Sequence, residues 1–402
     1  MGVAQMTVFP RVTAVTVLYN NSRLMADLAD TLGALGVRAV LYDSGSRDGS
    51  ADLARSMIPG AAVVSGENLG FGHGNNTAFG KVDTEYVLFL NSDARTCPDS
   101  LERMIAFLDS HPDTAGVQPL LRAWRWPLVT AGSGVWVTPF GEAWDARFMH
   151  LERETGAGVF KPPAITAAVS LWRSRAFESV NGFDTGYFMY FEDADICLRA
   201  GAAGWKFAVL REARGLHRTG GSSDRSAASV WELASSARLA RRFLSGGGLP
   251  RGFLLREART ELGLLLRGKP WLNRLRALSR SLDVPVSRVT LPDDVRAGLH
   301  GNPSDLPLPR PGPLGPGMRG KLLNPYGVFP SDGGEVLLRS PDGDVSGGVC
   351  DSDGALRDTF TVPRGRCIPV RLLPDGGLSY IFRDGSKARL EVAAGGHHWK
   401  ED

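Results

Sequence analysis

At 402 residues, with 43% hydrophobic and 22% charged side chains, the chain has the make-up of a soluble globular protein of two or three domains. A net charge of +3, without a basic run interleaved with aromatics, gives no electrostatic case for a nucleic-acid partner. Cys97, Cys197, Cys350 and Cys367 show neither C-x-x-C nor zinc spacing, no apolar run reaches the roughly 18 residues of a spanning helix, and residues 1–9 carry no export or lipidation pattern, so a cytoplasmic protein is expected.

From 13 to 119, short β-branched or aliphatic runs alternate with amphipathic segments, the pattern of a mostly parallel sheet flanked by helices. Strands are predicted at 13–18, 38–42, 61–65, 86–90 and 115–117. Leu24, Leu28, Thr31, Leu32 and Leu35 share one helical face, with Asn21 or Ser22 as its cap; Asp48 or Ser50 would cap a second helix, and Pro98 suits the first turn of a third. From 120 to 165 no period stands out, although Trp124, Trp126, Trp136 and Trp144 accumulate there; such aromatic faces can pack a core or receive a sugar, and core or lid packing is the default. A short helix ends near Asn181-Gly-Phe-Asp184, and 194–203 reads as another. Beyond His217 the chain turns helical, and 251–280 holds eight Lys or Arg against two Glu. A Pro/Gly-rich linker follows, then strands at 336–339, 356–362, 368–373, 378–383 and 388–392 with Asp-Gly hairpin turns between them. The domains expected are therefore 1–224, α/β; 225–300, a helical extension; 301–330, the linker; and 331–402, a small all-β module.

In open α/β sheets ligands sit outside the carboxyl ends of the strands, so the loops there are the candidate site. Asp43, ending the second strand, suits hydrogen bonds from a nucleotide base or ribose, with Tyr19 in the neighbouring loop. In Asn68-Leu-Gly-Phe-Gly-His-Gly-Asn75 the glycines, Gly70 among them, let backbone approach a ligand, while Asn68 and Asn75 can fix the loop or contact it. Asp93, two residues past Asn91 at a rigid strand end, can ligate a hard divalent cation, and His217 offers an imidazole to the same ion; Mn²⁺ tolerates that pair better than Mg²⁺. Within Phe188-Met-Tyr-Phe-Glu-Asp-Ala-Asp195 three carboxylates stand among apolar residues, which calls for a chemical task or a cationic partner; the alternative is an ordinary acidic helix start.

These segments, in this order, resemble family 2 glycosyltransferases of the GT-A fold, most closely a bacterial rhamnosyltransferase-like branch: Val15-Thr-Val-Leu-Tyr-Asn20, Tyr42-Asp-Ser-Gly-Ser-Arg-Asp-Gly-Ser50, Asn68-Leu-Gly-Phe71 with Gly74-Asn-Asn76, Phe89-Leu-Asn-Ser-Asp93, Gly182-Phe-Asp184 with Tyr187–Asp195, and His217. The metal motif begins with Asn91 in place of Asp, and Ser44 stands where the family commonly has Asn. The resemblance implies an inverting, metal-dependent transfer of a sugar, rhamnose being the branch's bias, from a nucleotide-sugar donor to a saccharide or lipid-linked saccharide acceptor in cell-surface polysaccharide assembly. Asp193 would be the catalytic base; Tyr19, Asp43, Asn68, Gly70, Asn75 and Asn91 would bind donor; Asp93 and His217 would hold Mn²⁺ or Mg²⁺; Glu192, Asp195 and Trp172 would face the acceptor or support the site. The alternative is a catalytically silent glycan-binding or assembly protein on the same scaffold. No G-x-G-x-x-G follows the first strand, which speaks against a dehydrogenase. The basic amphipathic stretch 251–282 fits either peripheral contact with the inner face of the cell membrane or a solvated face of a packed helix, and the β-module could bind glycan, pair subunits, contact another assembly protein or be a passive extension.

Overall fold

A computed structural model describes residues 9–124, 126–138, 141, 143–146, 158–218, 225–244, 249–266, 274, 276, 278, 279, 282 and 285–299, and eight strands between 329 and 401. Two compact units result, one of Met1–Leu121, Gly132–Ala146 and Thr155–Gly301, the other of Arg122–Ala131, Arg147–Glu154 and Asn302–Asp402.

In chain order the elements are β1 (Val12–Leu18), a 3-10 turn (Ser22–Leu24), α1 (Met25–Leu35), β2 (Arg38–Asp43), α2 (Ser50–Met57), β3 (Ala62–Ser65), α3 (Phe71–Phe79), β4 (Tyr86–Leu90), β5 (Ala94–Thr96), α4 (Pro98–Ser110), β6 (Thr114–Ala123), β7 (Trp126–Gly132), β8 (Val135–Val137), β9 (Ala143–Asp145) and β10 (Val159–Phe160). There follow β11 (Val169–Arg173), α5 (Ser174–Ser179), α6 (Glu192–Ala202), β12 (Lys206–His217), α7 (Arg225–Phe243), α8 (Arg251–Leu266) and α9 (Asp293–Gly298). The main sheet runs β10-β12-β6-β11-β4-β1-β2-β3. Its β4-β1-β2-β3 half is parallel, β11 lies antiparallel between β4 and β6, and β5 adds antiparallel to β12.

Local chemistry explains the parallel half. All five residues of β4 are buried, as a central strand covered on both faces requires. α1 buries Met25, Leu28, Thr31, Leu32 and Leu35, four of them on the face predicted, and stops where Gly36 takes the left-handed conformation (φ 60°). Asn21 does not cap it: the 3-10 turn intervenes, and the Asn21 Oδ1 accepts the Tyr19 N–H instead (2.7 Å).

The boundary expected at 224 does not separate two cores. Leu239 and Phe243 of α7, with Leu291 and Leu299 beyond it, join the cluster that contains Phe89, Trp172, Phe177 and Ile196. α7 instead serves as an inner wall of the α/β unit.

In the C-terminal module Phe329–Ser331, Gly334–Arg339, Val345–Cys350 and Leu356–Val362 form one antiparallel sheet, and Cys367–Leu372, Leu378–Phe382, Lys387–Ala393 and Gly396–Glu401 a second. Most of the linker, 301–328, and the Asp-Gly turns lie outside the described residues.

Candidate active site

β2 delivers Asp43 to the carboxyl end of the parallel sheet, 3% exposed. Its Oδ2 accepts the Ser46 N–H (3.3 Å), while Oδ1 is closed to solvent and has no hydrogen-bond partner. A buried acceptor left alone is destabilising by about 1–3 kcal/mol, so this oxygen suits a donor brought by a ligand, such as a base N–H or a ribose hydroxyl. The adjoining loops are stitched together: Asn20 donates its N–H to the Ser46 hydroxyl (2.9 Å) and accepts the Arg47 N–H (2.9 Å). Burial works to raise the Asp48 pKa, but hydrogen bonds from Ser50 and Ser22 hold it down at about 2. Beside them Tyr19 is half exposed, free to lie against a ligand.

The loop into α3 meets the acidic segment through Gly70. Its φ of 102° and ψ of 167° suit glycine alone, and an added Cβ would lie 2.5 Å from the Phe188 carbonyl oxygen, to which Phe71 donates its N–H (2.9 Å). Asn68 accepts the Gly70 N–H (3.3 Å). Asn75 is 2% exposed and donates to the Phe71 carbonyl (3.0 Å), the first of the two roles expected of it, fixing the loop. Its neighbour Asn76 is the clasp, donating to the Phe183 carbonyl (2.8 Å) and accepting the Phe183 N–H (2.9 Å).

Beyond β4, Asn91 donates its N–H to Ala168 (2.9 Å), and β5 pairs with β12 so that Ala94 stands opposite His217. That register places His217 Nε2 3.5 Å from Asp93 Oδ1. Burial acts to lower the His217 pKa, but the hydrogen bond and charge of Asp93, with the charge of Asp145, lift it above its usual value. Among the described residues no group of three or more His, Cys, Asp or Glu side chains is arranged to hold a metal. Two adjacent donors of this kind still fit Mg²⁺ or Mn²⁺, which keep waters and substrate phosphates as their remaining ligands.

Tyr190 (φ 70°) and Phe191 (φ 67°) adopt left-handed backbone in succession, costing about 1–3 kcal/mol each, and turn the chain sharply into α6. The first turn of α6 then carries Glu192 and Asp193. Burial raises the pKa of Asp193, partly offset by the Ala194 and Ala167 N–H groups and the Thr166 hydroxyl, and among the described residues Asp193 makes no ion pair. Glu192 is 6% exposed, its Oε2 is unpartnered, and burial followed by the charge of Asp193 pushes its pKa up.

Residues 13–141 match the model of glycosyl transferase family 2, and residues 86–281 that of glycosyl transferase family group 2. The chain is similar to rhamnosyltransferase WbbL of Escherichia coli, 32% identical over 209 residues, which span 48% of this chain and 78% of that protein. The chain belongs to glycosyltransferase family 2. It is likewise similar to N-acetylglucosaminyl-diphospho-decaprenol L-rhamnosyltransferase of Mycobacterium tuberculosis, 28% identical over 218 residues, 48% of this chain and 70% of that one. The glycosyltransferase has a GT-A type α/β fold, and the crystal structure of GalNAc-T7 with UDP, GalNAc and Mn²⁺ superposes with a TM-score of 0.50 at 12% identity, covering 98% of this chain and 79% of that chain.

Of the residues expected to face the acceptor or support the site, two are held inside the fold. Asp195 is fully buried and bound to Arg199 Nε (2.7 Å), Arg242 Nη1 (2.5 Å) and the Tyr187 hydroxyl (3.2 Å), so its charge is compensated inside the fold, and it anchors α6 to α7. Trp172 is 2% exposed, packed against Phe89, Phe177 and Phe207 with its indole N–H on the Ser170 hydroxyl (3.2 Å), out of an acceptor's reach. The apolar neighbours of both in sequence already pointed inward. Conversely, Asp145 of β9 lies within electrostatic reach of both Asp193 and His217, and burial followed by the charge of Asp193 pushes its pKa up to about 7. It falls in the aperiodic stretch 120–165, where no spacing marks it.

Proposed function

We propose that this glycosyltransferase moves a sugar, rhamnose, from a nucleotide-sugar donor to a saccharide or lipid-linked saccharide acceptor with inversion, in cell-surface polysaccharide assembly. The observation that carries the reading is the state of Asp193: a half-buried carboxylate, raised in basicity, without an ion pair among the described residues, and joined through the field of Asp145 to the Asp93–His217 pair. The names of the E. coli and M. tuberculosis relatives support the sugar, and that of the latter supports a polyprenyl-diphosphate-linked acceptor.

In this reading Asp43 accepts a hydrogen bond from the base or ribose, and the Asn68–Gly70 loop lies along the nucleotide. Asp93 and His217 hold a divalent cation, Mn²⁺ or Mg²⁺, at the donor diphosphate. When bound, that cation supplies charge neutralisation to the departing diphosphate. Asp193 takes the proton of the acceptor hydroxyl as its oxygen forms a bond to the anomeric carbon from the face opposite the nucleotide; the bond from that carbon to the diphosphate oxygen breaks, and the diphosphate leaves with the electron pair. A raised pKa makes Asp193 the stronger base once ionised.

Among the described residues no helix is long and apolar enough to cross a membrane. Peripheral contact is supported by α8, which exposes Leu254, Leu255, Leu262 and Leu266 near the exposed Arg251.

The test is Asp193→Asn. Transfer of sugar from a nucleotide-rhamnose donor should fall by about 10²–10⁴-fold, with the nucleoside diphosphate bound as tightly as before. Undiminished transfer by the variant refutes the assignment, and a wild type that neither hydrolyses nor transfers any nucleotide sugar favours the silent scaffold.

A further inference from the structure

The hairpin of β8 and β9 carries a carboxyl that the reaction above leaves without a task. Asp145 ends β9 opposite Val135, and the backbone is clamped on either side of it: Ser133 donates its N–H to the Ala146 carbonyl (3.1 Å), and Ala146 donates to the Gly134 carbonyl (2.8 Å). A Cβ at Gly132 would stand 2.7 Å from Oδ1 and 3.1 Å from Cγ, so this glycine leaves the room the carboxyl occupies. Oδ1 is closed to solvent and has no hydrogen-bond partner. β8 packs on α6, the helix whose first turn holds Asp193.

The location follows from the pairing of β9 with β8 and the packing of β8 on α6, and two groups of the site act electrostatically on the carboxyl there, Asp193 and His217. In the displacement described above, the attacking hydroxyl arrives on the Asp193 side and the diphosphate departs on the His217 side, so the transferred sugar lies between them. A carboxyl placed within reach of both groups borders that sugar. A buried oxygen held on a clamped hairpin, with no donor offered to it among the described residues, has the character of a ligand-reading group rather than a fold-building one.

We propose that Asp145 is a specificity-determining residue of the donor site, its Oδ1 hydrogen-bonding a hydroxyl of the transferred sugar. The inference rests on the donor reading above and goes beyond it by naming the residue that selects the sugar. A site built to hydrogen-bond a hydroxyl rejects the analogue that lacks it, because the buried oxygen is then left alone. An elevated pKa would let the same carboxyl donate as well as accept near neutral pH.

The test uses the full chain and a set of nucleotide sugars that share one nucleotide and differ at single sugar hydroxyls. Binding by calorimetry and kcat/KM are read for wild type, Asp145→Ala and Asp145→Asn. Wild type should prefer its best donor over the deoxy analogue at the bonded position by about 10²-fold or more, Asp145→Ala should reduce that ratio at least about tenfold, and Asp145→Asn, which keeps an acceptor oxygen, should restore part of it. Affinity for the nucleoside diphosphate alone should stay within about threefold of wild type. Should Asp145→Ala not fold, Gly132→Ala displaces the carboxyl by its Cβ and carries the same expectation. An unchanged preference, or an equal loss of diphosphate and sugar-nucleotide affinity, overturns the inference and leaves the donor reading standing. A wild type that binds no nucleotide sugar overturns the donor reading, and the inference with it.

Discussion

Substituting Gly70 by alanine tests how the Asn68–Gly70 loop is locked to the segment leading into α6. The residue sits at φ 102°, ψ 167°, a region essentially closed to residues with a Cβ, which costs about 1–3 kcal/mol. The new Cβ would lie 2.5 Å from the Phe188 carbonyl oxygen and 2.8 Å from the Phe188 Cα, backbone atoms that move only with the segment as a whole, adding about 1–3 kcal/mol of overpacking. The sum is about 2–6 kcal/mol. Gly60 provides the control: its φ is 81°, but a Cβ there meets nothing within 4 Å, so Gly60→Ala should cost only about 1–2 kcal/mol of left-handed strain. Thermal unfolding of both variants should give a visibly larger drop for Gly70→Ala. Phe188 lies five residues before Asp193, so relief of the clash by shifting that segment also misplaces the carboxylate, and the transfer rate of the folded variant should fall about 10²-fold, as a displacement near 1 Å does. Equal melting losses for the two variants, or a Gly70→Ala enzyme of full activity, would refute the coupling.

Asp93→Ala should weaken nucleoside diphosphate binding at least about tenfold in the presence of Mn²⁺ and hardly at all with chelator, as read by calorimetry; a loss independent of metal counts against the metal role of the Asp93–His217 pair. Glu192 has its folded pKa raised above the unfolded value of 4.5, so its contribution to stability is full below that value and is lost as pH rises through the folded pKa. Glu192→Gln should therefore gain melting temperature over wild type progressively from pH 5 to pH 8, and a flat difference would contradict the shift. Arg242→Met leaves Asp195 and Asp184 short of a cation inside the fold and should cost about 3–5 kcal/mol, against less than about 1 kcal/mol for Arg38→Met at the exposed Asp83 pair, both by chemical denaturation. Replacing Leu255, Leu262 and Leu266 together by glutamate should abolish sedimentation with anionic vesicles without lowering transfer to a soluble acceptor analogue; unchanged sedimentation removes α8 as the contact.

The parallel half of the sheet was legible because β1, β2 and β4 are short, mostly buried runs and α1 carries one apolar face, patterns that survive in the linear chain. Asp43, Asp93, Asp193 and His217 were legible as candidates for a related reason: a charged or imidazole side chain beside such a run is conspicuous against its neighbours. Their company was not. Asp93 and His217 are 124 positions apart and meet only because β5 adds to β12 in one register. Asp195 and Asp193 read alike in sequence, two residues apart on one helix turn, yet Arg199 and Arg242 neutralise the first and leave the second without an ion pair among the described residues. Trp172 reads as an aromatic site residue until its strand places it in the middle of the sheet.

The sequence by itself determined the alternation of strand and helix, and so the sheet edge at which ligands collect, since hydrophobic periodicity is a local property of the chain, and its short motifs, in their order, carried the resemblance to the family. Only the tertiary structure decided which carboxyl groups remain chemically available, because desolvation and ion pairing depend on what distant segments bring alongside. Asp145 is the clearest instance: an unremarked acid in an aperiodic stretch, which its hairpin brings within electrostatic reach of Asp193 and His217.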